Sequence, residues 1–230
     1  MYVGIPTKGE EMKKYIPALK KCGLFEEIEE ENLTAMLDCL GAKVFSIKKD
    51  MTIFQEGTPA KYIGLILSGA VQMVQDDFYG NRSIVTSIGE NGLFGESFAC
   101  AGITSLPVSF IASKDCEIML IDCSHILHIC ENACAFHQQL IYNLMKDLAK
   151  KTILFHQRIE ITSKRTTREK LLTYLTLQAK NTGKNHFEIP FDRQGLADYL
   201  EVERSGLSAE IGKMTREGLI YSKKNYFELL

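Results

Sequence analysis

Between Ala42 and Ile121 the hydrophobic pattern changes from the spacing of a helix to short runs of β-branched and aromatic residues. Six such runs are separated by turn signals, at 43–48, 63–67, 71–74, 83–86, 108–111 and 118–121. Nine of the seventeen glycines fall between Gly41 and Gly102, as frequent turns between short strands require. This pattern predicts an antiparallel barrel or sandwich. No phosphate-binding glycine loop joins a strand to a helix, which argues against a nucleotide hydrolase or a dinucleotide-binding enzyme.

Helical periodicity flanks the strand-rich region. Apolar residues recur three and four apart within 12–21 and 30–40, so we expect helices ahead of the strands. Residues 133–161 contain neither glycine nor proline and predict one long helix. Its apolar positions alternate four- and three-residue steps, which is typical of a two-chain seam and predicts a dimer interface at Ile141, Met145, Leu148, Phe155 and Ile159. Burial of this helix in its own domain is the alternative.

The last third of the chain predicts a helix-turn-helix. Polar residues around 161–167 mark a domain boundary, after which Thr166 or Thr167 can begin a helix. Two short helices follow, with inner faces formed by Leu196, Ala197 and Leu200 and by Leu207, Ile211 and Met214. Three residues at the start of the second helix point outward, where such proteins present side chains to DNA bases: Arg204, Ser205 and Ser208.

Two features support a nucleic-acid partner for this segment. Short strands at 218–221 and 226–229 enclose Lys223 and Lys224, which predicts a basic wing beside the two helices. Residues 1–162 hold 15 Lys and Arg against 20 Asp and Glu, whereas residues 163–230 hold 12 against 9. The excess of positive charge in the C-terminal part has the sign expected of a domain that binds DNA.

Four motifs occur in a fixed order along the chain. They are Thr52-Ile53-Phe54-Gln55-Glu56-Gly57, Leu67-Ser68-Gly69-Ala70-Val71, Leu93-Phe94-Gly95-Glu96, and the stretch from Asp192-Arg193-Gln194 to Gly218-Leu219-Ile220. In this order they resemble the cyclic-AMP receptor protein and FNR (Crp/Fnr) family of bacterial transcription regulators, over about residues 15–230. The resemblance implies an α+β chain with a double-stranded β-helix (jelly-roll) sensor domain over 12–132, a dimerisation helix over 133–162 and a winged helix-turn-helix over 163–230.

The resemblance also assigns DNA-contacting positions. Gln194 begins the first helix of the motif and Arg204 begins the recognition helix. We expect Arg204 to read a base, and Arg168, Gln194 and Lys213 to approach phosphates. Ser205 and Ala209 replace base-reading residues of the cyclic-AMP receptor protein, so the preferred DNA sequence should differ. Glu201 stands in the turn where a glycine is usual, which predicts a strained left-handed residue.

The effector pocket departs further from the family pattern. Gly95, Glu96 and Ser97 resemble the start of the phosphate-binding cassette, but Leu106 and Pro107 replace its Arg-Ser pair. Ile153 and Leu154 replace the Thr-Ser pair that reaches adenine. We therefore expect an unknown small effector rather than cyclic AMP. The cysteine cluster of the iron–sulfur branch is absent as well, since only Cys22 precedes the barrel.

The remaining cysteines and histidines leave alternatives open. Cys134 and His137 lie one helical turn apart and could share a metal, although burial as packing residues is the simpler interpretation. Cys100 lies in the cassette region and is either a packed core residue or a redox- or ligand-sensing thiol. His125, His128 and His156 lack the spacing of a zinc site or a catalytic dyad. We therefore expect no metal, no cofactor and no catalytic residues.

These observations predict a DNA-binding transcription regulator that acts as a homodimer on a palindromic operator, with RNA polymerase as a further partner. The alternative is a cupin-like barrel enzyme or storage protein with an accessory winged domain. That alternative needs histidine ligands, and the barrel region from Ala42 to Ile121 contains no histidine. The sequence has seven cysteines, an odd number, and we find in it neither an apolar signal segment nor a membrane span. These features predict a reduced, cytoplasmic protein.

Overall fold

The computed structural model describes residues 4–5, 9–79, 82–127 and 135–230, and the chain divides into two compact units, Met1–Ala149 and Lys150–Leu230. The predicted helix start at Ala133 lies outside the described residues, as do His128 and Cys134. None of the described helices has the length and apolar character that a bilayer span requires. The first boundary expected from the sequence, at residue 132, also falls in the part left undescribed.

The first unit begins with the short strand β1 and a group of helical segments. These are β1 (Gly4–Ile5), a 3-10 helix (Gly9–Tyr15), α1 (Ile16–Leu19), a second 3-10 helix (Gly23–Phe25) and α2 (Glu30–Cys39). The expected helix over 30–40 is therefore present. The expected helix over 12–21 is a 3-10 helix as far as Tyr15 and an α-helix only over Ile16–Leu19. Pro17 has no N–H to donate to a preceding turn and is tolerated because it lies where α1 starts.

Eight further strands complete two antiparallel sheets. They are β2 (Lys43–Ile47), β3 (Thr52–Phe54), β4 (Tyr62–Ser68), β5 (Val71–Asp76), β6 (Arg82–Ile88), β7 (Leu93–Phe94), β8 (Ser109–Ala112) and β9 (Cys116–Asp122). The strand orders are β1-β2-β9-β4-β7 and β3-β8-β5-β6. The unit is thus the expected jelly roll.

Strand β4 shows how the two sheets and the helices share their cores. Ile66 belongs to the apolar cluster between the sheets, whereas Ile63 and Leu65 belong to the cluster beneath the helices. Side chains alternate between the faces of a strand, so both faces of β4 are buried. This explains why the sequence of β4 is a continuous apolar run rather than an alternating one.

Three helices follow or interrupt the strands. They are α3 (Glu96–Cys100), α4 (Cys123–Leu127) and the long α5 (Ala135–Thr162). Leu140 and Leu144 on α5 are buried in the core of the first unit. The described part of α5 is one uninterrupted helix, and the boundary between the units falls within it, at Ala149.

The second unit is a winged helix-turn-helix. Its elements are α6 (Thr167–Thr182), β10 (His186–Glu188), α7 (Arg193–Leu200), α8 (Arg204–Arg216), β11 (Ile220–Lys223) and β12 (Tyr226–Leu229). The strands form one sheet in the order β10-β12-β11. Helix α6 begins with a capping box, in which Thr166 accepts from the Glu169 amide and Glu169 accepts from the Thr166 amide.

Candidate DNA-binding face and sensor site

The helix-turn-helix is formed by α7, the turn at Glu201 and α8. All six inner-face residues expected from the sequence are buried: Leu196, Ala197, Leu200, Leu207, Ile211 and Met214. Asp192 caps α7 by accepting from the Gly195 amide at 2.7 Å. Glu201 has φ 54° and ψ 56°, so the expected left-handed conformation is observed. The turn therefore fixes α8 against α7 and leaves the opposite face of α8 open.

That open face carries the residues expected to contact DNA. Arg204 is the first residue of α8, and Arg204, Ser205 and Ser208 are exposed. Lys213 is exposed in the last turn of the same helix. In the wing, Lys223 ends β11 and Lys224 occupies the turn to β12, and both are exposed. The structure thus presents these polar and basic side chains to solvent.

A surface cleft of about 830 Å³ brings several of these residues together. Arg193, Gln194 and Arg204 line it at the starts of α7 and α8, and Lys224 lines it from the wing. Burial, and then the nearby positive charge of Arg204, lower the pKa of Arg193 from its ordinary value. The cleft therefore concentrates positive charge, and a phosphate group would relieve the repulsion between its arginines.

Arg193 was not among the residues selected from the sequence. Its side chain lies over the ring of Phe227, 5.7 Å from the centroid, and its Nη2 is 3.5 Å from the Ser222 hydroxyl. The sequence signal available was its place as the first residue after the Asp192 cap, where a helix N-terminus favours anions. Gln194, which was selected, is exposed and donates to Asp198 at 2.8 Å.

Arg168 has a different environment from the one expected. Its Nε donates to Glu210 at 2.6 Å, and its Nη2 lies 2.8 Å from a Glu217 carboxylate oxygen. These two ion pairs raise the pKa of Arg168 further above its ordinary value. Two glutamates therefore share this guanidinium and tie α6 to α8, and the phosphate contact expected for Arg168 stays a prediction.

The sensor site expected in the first unit is centred on α3. Gly95 precedes α3 with φ 77°, and an added Cβ there would lie 3.1 Å from the Phe54 ring and 3.2 Å from the Tyr62 carbonyl oxygen. Glu96 is 5% exposed, and Ser97 is exposed with its hydroxyl 3.4 Å from a Glu96 oxygen. Gly95 therefore provides the tight turn after which α3 begins at Glu96, whose side chain is buried.

The loop after α3 is tied to the turn after β3. Gly57 donates to the Leu106 carbonyl and Leu106 donates to the Thr58 carbonyl, both at 2.9 Å. Leu106 is buried whereas Pro107 is exposed. Gly95 and Leu106 both line a small cavity of about 20 Å³. Pockets that hold drug-sized ligands have about 300–1,000 Å³.

Aromatic side chains fill the interior of the jelly roll beside this cavity. The ring of Phe94 lies 5.4 Å from that of Phe54 and 5.5 Å from that of Phe110, and Phe98 lies 6.2 Å from Phe110. Gly64 allows this packing, because an added Cβ would lie 2.1 Å from Phe94. The described interior is therefore apolar and closely packed, with no arginine at the Leu106-Pro107 position to neutralise a cyclic phosphate.

The α5 residues expected at the dimer seam fall into two groups. Ile141 and Leu148 are partly buried against the core of their own unit. Met145, Phe155 and Ile159 are 64%, 60% and 61% exposed. The two residues assigned to the effector, Ile153 and Leu154, are 56% and 62% exposed.

The structure describes His137 but not Cys134, the two residues that were considered as a shared metal site or as packing residues. His137 is 1% exposed, and its Nε2 lies 3.2 Å from the His125 carbonyl oxygen. Cys134 is outside the described residues, so the pairing of Cys134 with His137 remains a hypothesis. Among the residues that the structure describes, no group of three or more His, Cys, Asp or Glu side chains is arranged to hold a metal ion.

Comparison with known proteins agrees with this architecture. Residues 44–133 match the family model of the cyclic nucleotide-binding domain. No curated protein sequence matches the chain. The resemblance to Crp/Fnr regulators drawn from the motifs is confirmed at the level of the sensor domain and of the fold.

Three solved structures illustrate the fold. DNR from Pseudomonas aeruginosa is 19% identical, with a TM-score of 0.51 over 97% of this chain and 96% of that one. The sensor domain of the transcriptional regulator DNR from the same organism is 20% identical, with a TM-score of 0.53 over 66% and 95%. A cyclic nucleotide-binding domain from Methylobacillus flagellatus is 18% identical, with a TM-score of 0.57 over 68% and 86%.

Proposed function

We propose that the protein is a DNA-binding transcription regulator of the Crp/Fnr type, without catalytic activity of its own. The observation that carries the proposal is the basic cleft lined by Arg193, Arg204 and Lys224, next to the open face of α8. Side chains at the start of a recognition helix are those that reach base edges in the major groove. The structurally similar DNR is a transcriptional regulator, which supports the same class here.

In this proposal the contacts divide into base reading and backbone binding. Arg204 pairs with the O6 and N7 acceptors of guanine, an interaction that contributes about 1–3 kcal/mol of discrimination. Ser205 and Ser208 follow it along the exposed face of α8. Gln194, Lys213, Lys223 and Lys224 bind phosphates and add affinity with little sequence information. Arg193 joins this second group because it lines the same cleft as Arg204.

The functional unit in this proposal is a homodimer joined through α5. Three of the seam residues on α5, Met145, Phe155 and Ile159, are between 60% and 64% exposed. A long apolar stripe is unfavourable in water, and a second copy of the same helix would cover it. A two-fold dimer presents two recognition helices and therefore selects a palindromic operator.

The jelly roll supplies the sensing function. Its apolar interior and the Leu106-Pro107 pair favour a small effector that is largely uncharged or aromatic over a cyclic nucleotide. Effector binding would reposition the winged helices on the operator, and the DNA-bound dimer would act on transcription through RNA polymerase.

Binding-site selection from random duplex DNA tests this proposal. The wild-type chain should enrich a palindrome whose half-sites lie about one helical turn, roughly 10 base pairs, apart. The Arg193→Ala/Arg204→Ala double variant should lose that enrichment. Arg216→Ala is the matched control, because Arg216 is an exposed arginine at the other end of α8. The proposal fails if the wild type enriches no sequence, or if the Arg216 variant loses enrichment as fully as the double variant.

A further inference from the structure

Two cysteines of the first unit meet where α3 ends and α4 begins. Cys100 is the last residue of α3 and Cys123 is the first residue of α4, and their sulfur atoms are 3.7 Å apart. Cys123 is 4% exposed, and its amide donates to the Lys61 carbonyl at 3.0 Å. Cys100 is only partly buried and is thus the more exposed residue of the pair. The DNA-binding function proposed above uses neither thiol.

The two thiols have different acidities. The Cys123 thiol hydrogen-bonds to the Cys100 sulfur and lowers the pKa of Cys100, with burial and nearby Glu96 acting in the opposite direction. The same interaction, with burial and the neighbouring charge of Asp122, raises the pKa of Cys123. The more accessible sulfur is therefore also the one that more readily becomes a thiolate, the reactive form of cysteine.

We propose that Cys100 and Cys123 form a redox modification site that closes to a disulfide when the protein meets a hydroperoxide such as hydrogen peroxide. A disulfide has an S–S distance of about 2.05 Å. The two sulfurs must therefore approach by about 1.7 Å from their separation of 3.7 Å. Both residues lie at helix ends, where a small rotation of each side chain can supply this movement.

The reaction balances in two steps. The Cys100 thiolate attacks one peroxide oxygen, an S–O bond forms, the O–O bond breaks, and hydroxide leaves to take up a proton as water. The Cys123 sulfur then attacks the Cys100 sulfenic acid, an S–S bond forms, the S–O bond breaks, and the hydroxide leaves as water with the Cys123 proton. Two thiols lose two electrons in all, and hydrogen peroxide gains them. A dithiol reductant reverses the change by thiol–disulfide exchange.

This bond would join α3 to α4 directly behind the sensor site. Helix α3 starts at Glu96 and ends at Cys100, so oxidation would fix the end of the short helix that carries the buried carboxylate. The oxidation state of the pair would thereby constrain the sensor site without any contact to DNA. The proposal concerns the thiol pair alone and does not depend on the DNA-binding function.

Peptide mapping of the full-length protein tests the site. One equivalent of hydrogen peroxide should remove two hydrogen atoms from the protein mass and yield a linked peptide containing Cys100 and Cys123, reversed by dithiothreitol. Cys100 should react faster than the exposed Cys39, because the adjacent Cys123 thiol favours the thiolate form of Cys100. A variant with Cys130 and Cys134 replaced by serine should form the same linked peptide, as should Cys39→Ser.

Single substitutions separate the two roles. In Cys123→Ser the reaction should stop at a sulfenic acid on Cys100, which dimedone traps, and in Cys100→Ser Cys123 should remain a thiol. The proposal is overturned if either cysteine links to a different cysteine, or if Cys100 reacts no faster than Cys39. It is also overturned if native mass spectrometry finds a metal ion that protects both thiols from alkylation.

Discussion

The Nη2 atom of Arg168 lies 2.8 Å from a carboxylate oxygen of Glu217. Arg168 stands in the first turn of α6 and Glu217 caps the end of α8. The pair therefore ties the start of α6 to the end of α8. An arginine that the sequence predicts to approach a DNA phosphate is thus paired with two glutamates of its own unit.

This ion pair predicts a pH-dependent stability. Arg168 lowers the pKa of Glu217 below its ordinary value of 4.5. A carboxyl group with a lowered folded-state pKa adds stability above the unfolded-state pKa, and that contribution disappears as the pH falls through the folded-state pKa. Glu217→Gln should therefore unfold more easily than wild type at pH 7, and the difference should vanish in acid. Urea titrations followed by circular dichroism at several pH values measure it.

The control for that experiment is Glu188→Gln, which changes an exposed glutamate on β10 of the same unit. This variant should leave the difference in the free energy of unfolding between neutral and acidic pH the same as in the wild type. Equal behaviour of the two variants across the pH range would show that the Arg168–Glu217 pair makes no such contribution.

Arg204 and Lys213 should have separable effects on DNA binding. Arg204→Ala should flatten the sequence preference at one symmetric position in each half-site, because it removes a base contact. Lys213→Ala should weaken all sequences alike and make the salt dependence shallower by about one unit of slope, because it removes a phosphate contact. Site selection and binding titrations over a range of salt concentrations measure both. An unchanged site preference in the Arg204 variant, with an altered one in the Lys213 variant, would reverse the two assignments.

Phe155→Glu should dissociate the proposed dimer and weaken binding to a two-half-site DNA. Phe155 is 60% exposed, so a charge there acts on the interface and not on a buried core. Leu148→Glu should also dissociate the dimer, but Leu148 packs partly on its own unit and that variant would disturb the sensor fold as well. Sedimentation at micromolar concentration measures the effect. The control is Lys150→Glu, which changes an exposed residue on the side of α5 opposite to the seam. A wild-type protein that sediments as a monomer would refute the dimer.

Cyclic AMP should not bind with micromolar affinity. The cavity beside Gly95 and Leu106 has about 20 Å³, and aromatic rings pack next to it. No arginine stands at the Leu106-Pro107 position to pair with the cyclic phosphate. Isothermal titration calorimetry should show no saturable heat. Micromolar binding that Glu96→Ala abolishes and Ser97→Ala preserves would contradict this expectation.

Glu201→Gly should stabilise the second unit. Glu201 has φ 54°, and a left-handed conformation costs a non-glycine residue about 1–2 kcal/mol. The substitution also removes an exposed ion pair with Arg158 at 3.6 Å, an interaction that contributes little. A net gain of about 0.5–1 kcal/mol is expected in denaturant unfolding. Glu203→Gly, at φ −64°, should give no such gain, and an equal effect of both variants would rule out backbone strain as the cause.

The features that sequence predicted best are those with a local period. Helix α2, the longer strands and the inner face of the helix-turn-helix follow from spacing and from glycine positions, and the structure confirms them. Strands β1, β3 and β7 were not predicted, because two or three residues cannot show an alternation. The ion pairs of Arg168 could not be predicted for a different reason, since its partners Glu210 and Glu217 come close only through the packing of α6 on α8.

The same limit applied to the candidate sites. Arg204 could be selected because its position at a helix start is local information. Arg193 and Lys224 line one cleft only because the wing packs beside the start of α7. Cys100 and Cys123 are adjacent only because β8 and β9 bring the chain back to α3. Such meetings depend on tertiary contacts between distant segments, which periodicity does not encode.

The position of β4 between β9 and β7 has a consequence for biosynthesis. Tyr62 of β4 pairs with Asp122 of β9, and Lys43 of β2 pairs with Leu120 of β9. A chain that leaves the ribosome from its N-terminus must therefore emerge past Asp122 before either strand can pair with β9. Until then the apolar face of α2 and both faces of β4 have no complete core to join. Such non-local pairing slows folding and leaves apolar surface of the unfinished first unit exposed until β9 has been made.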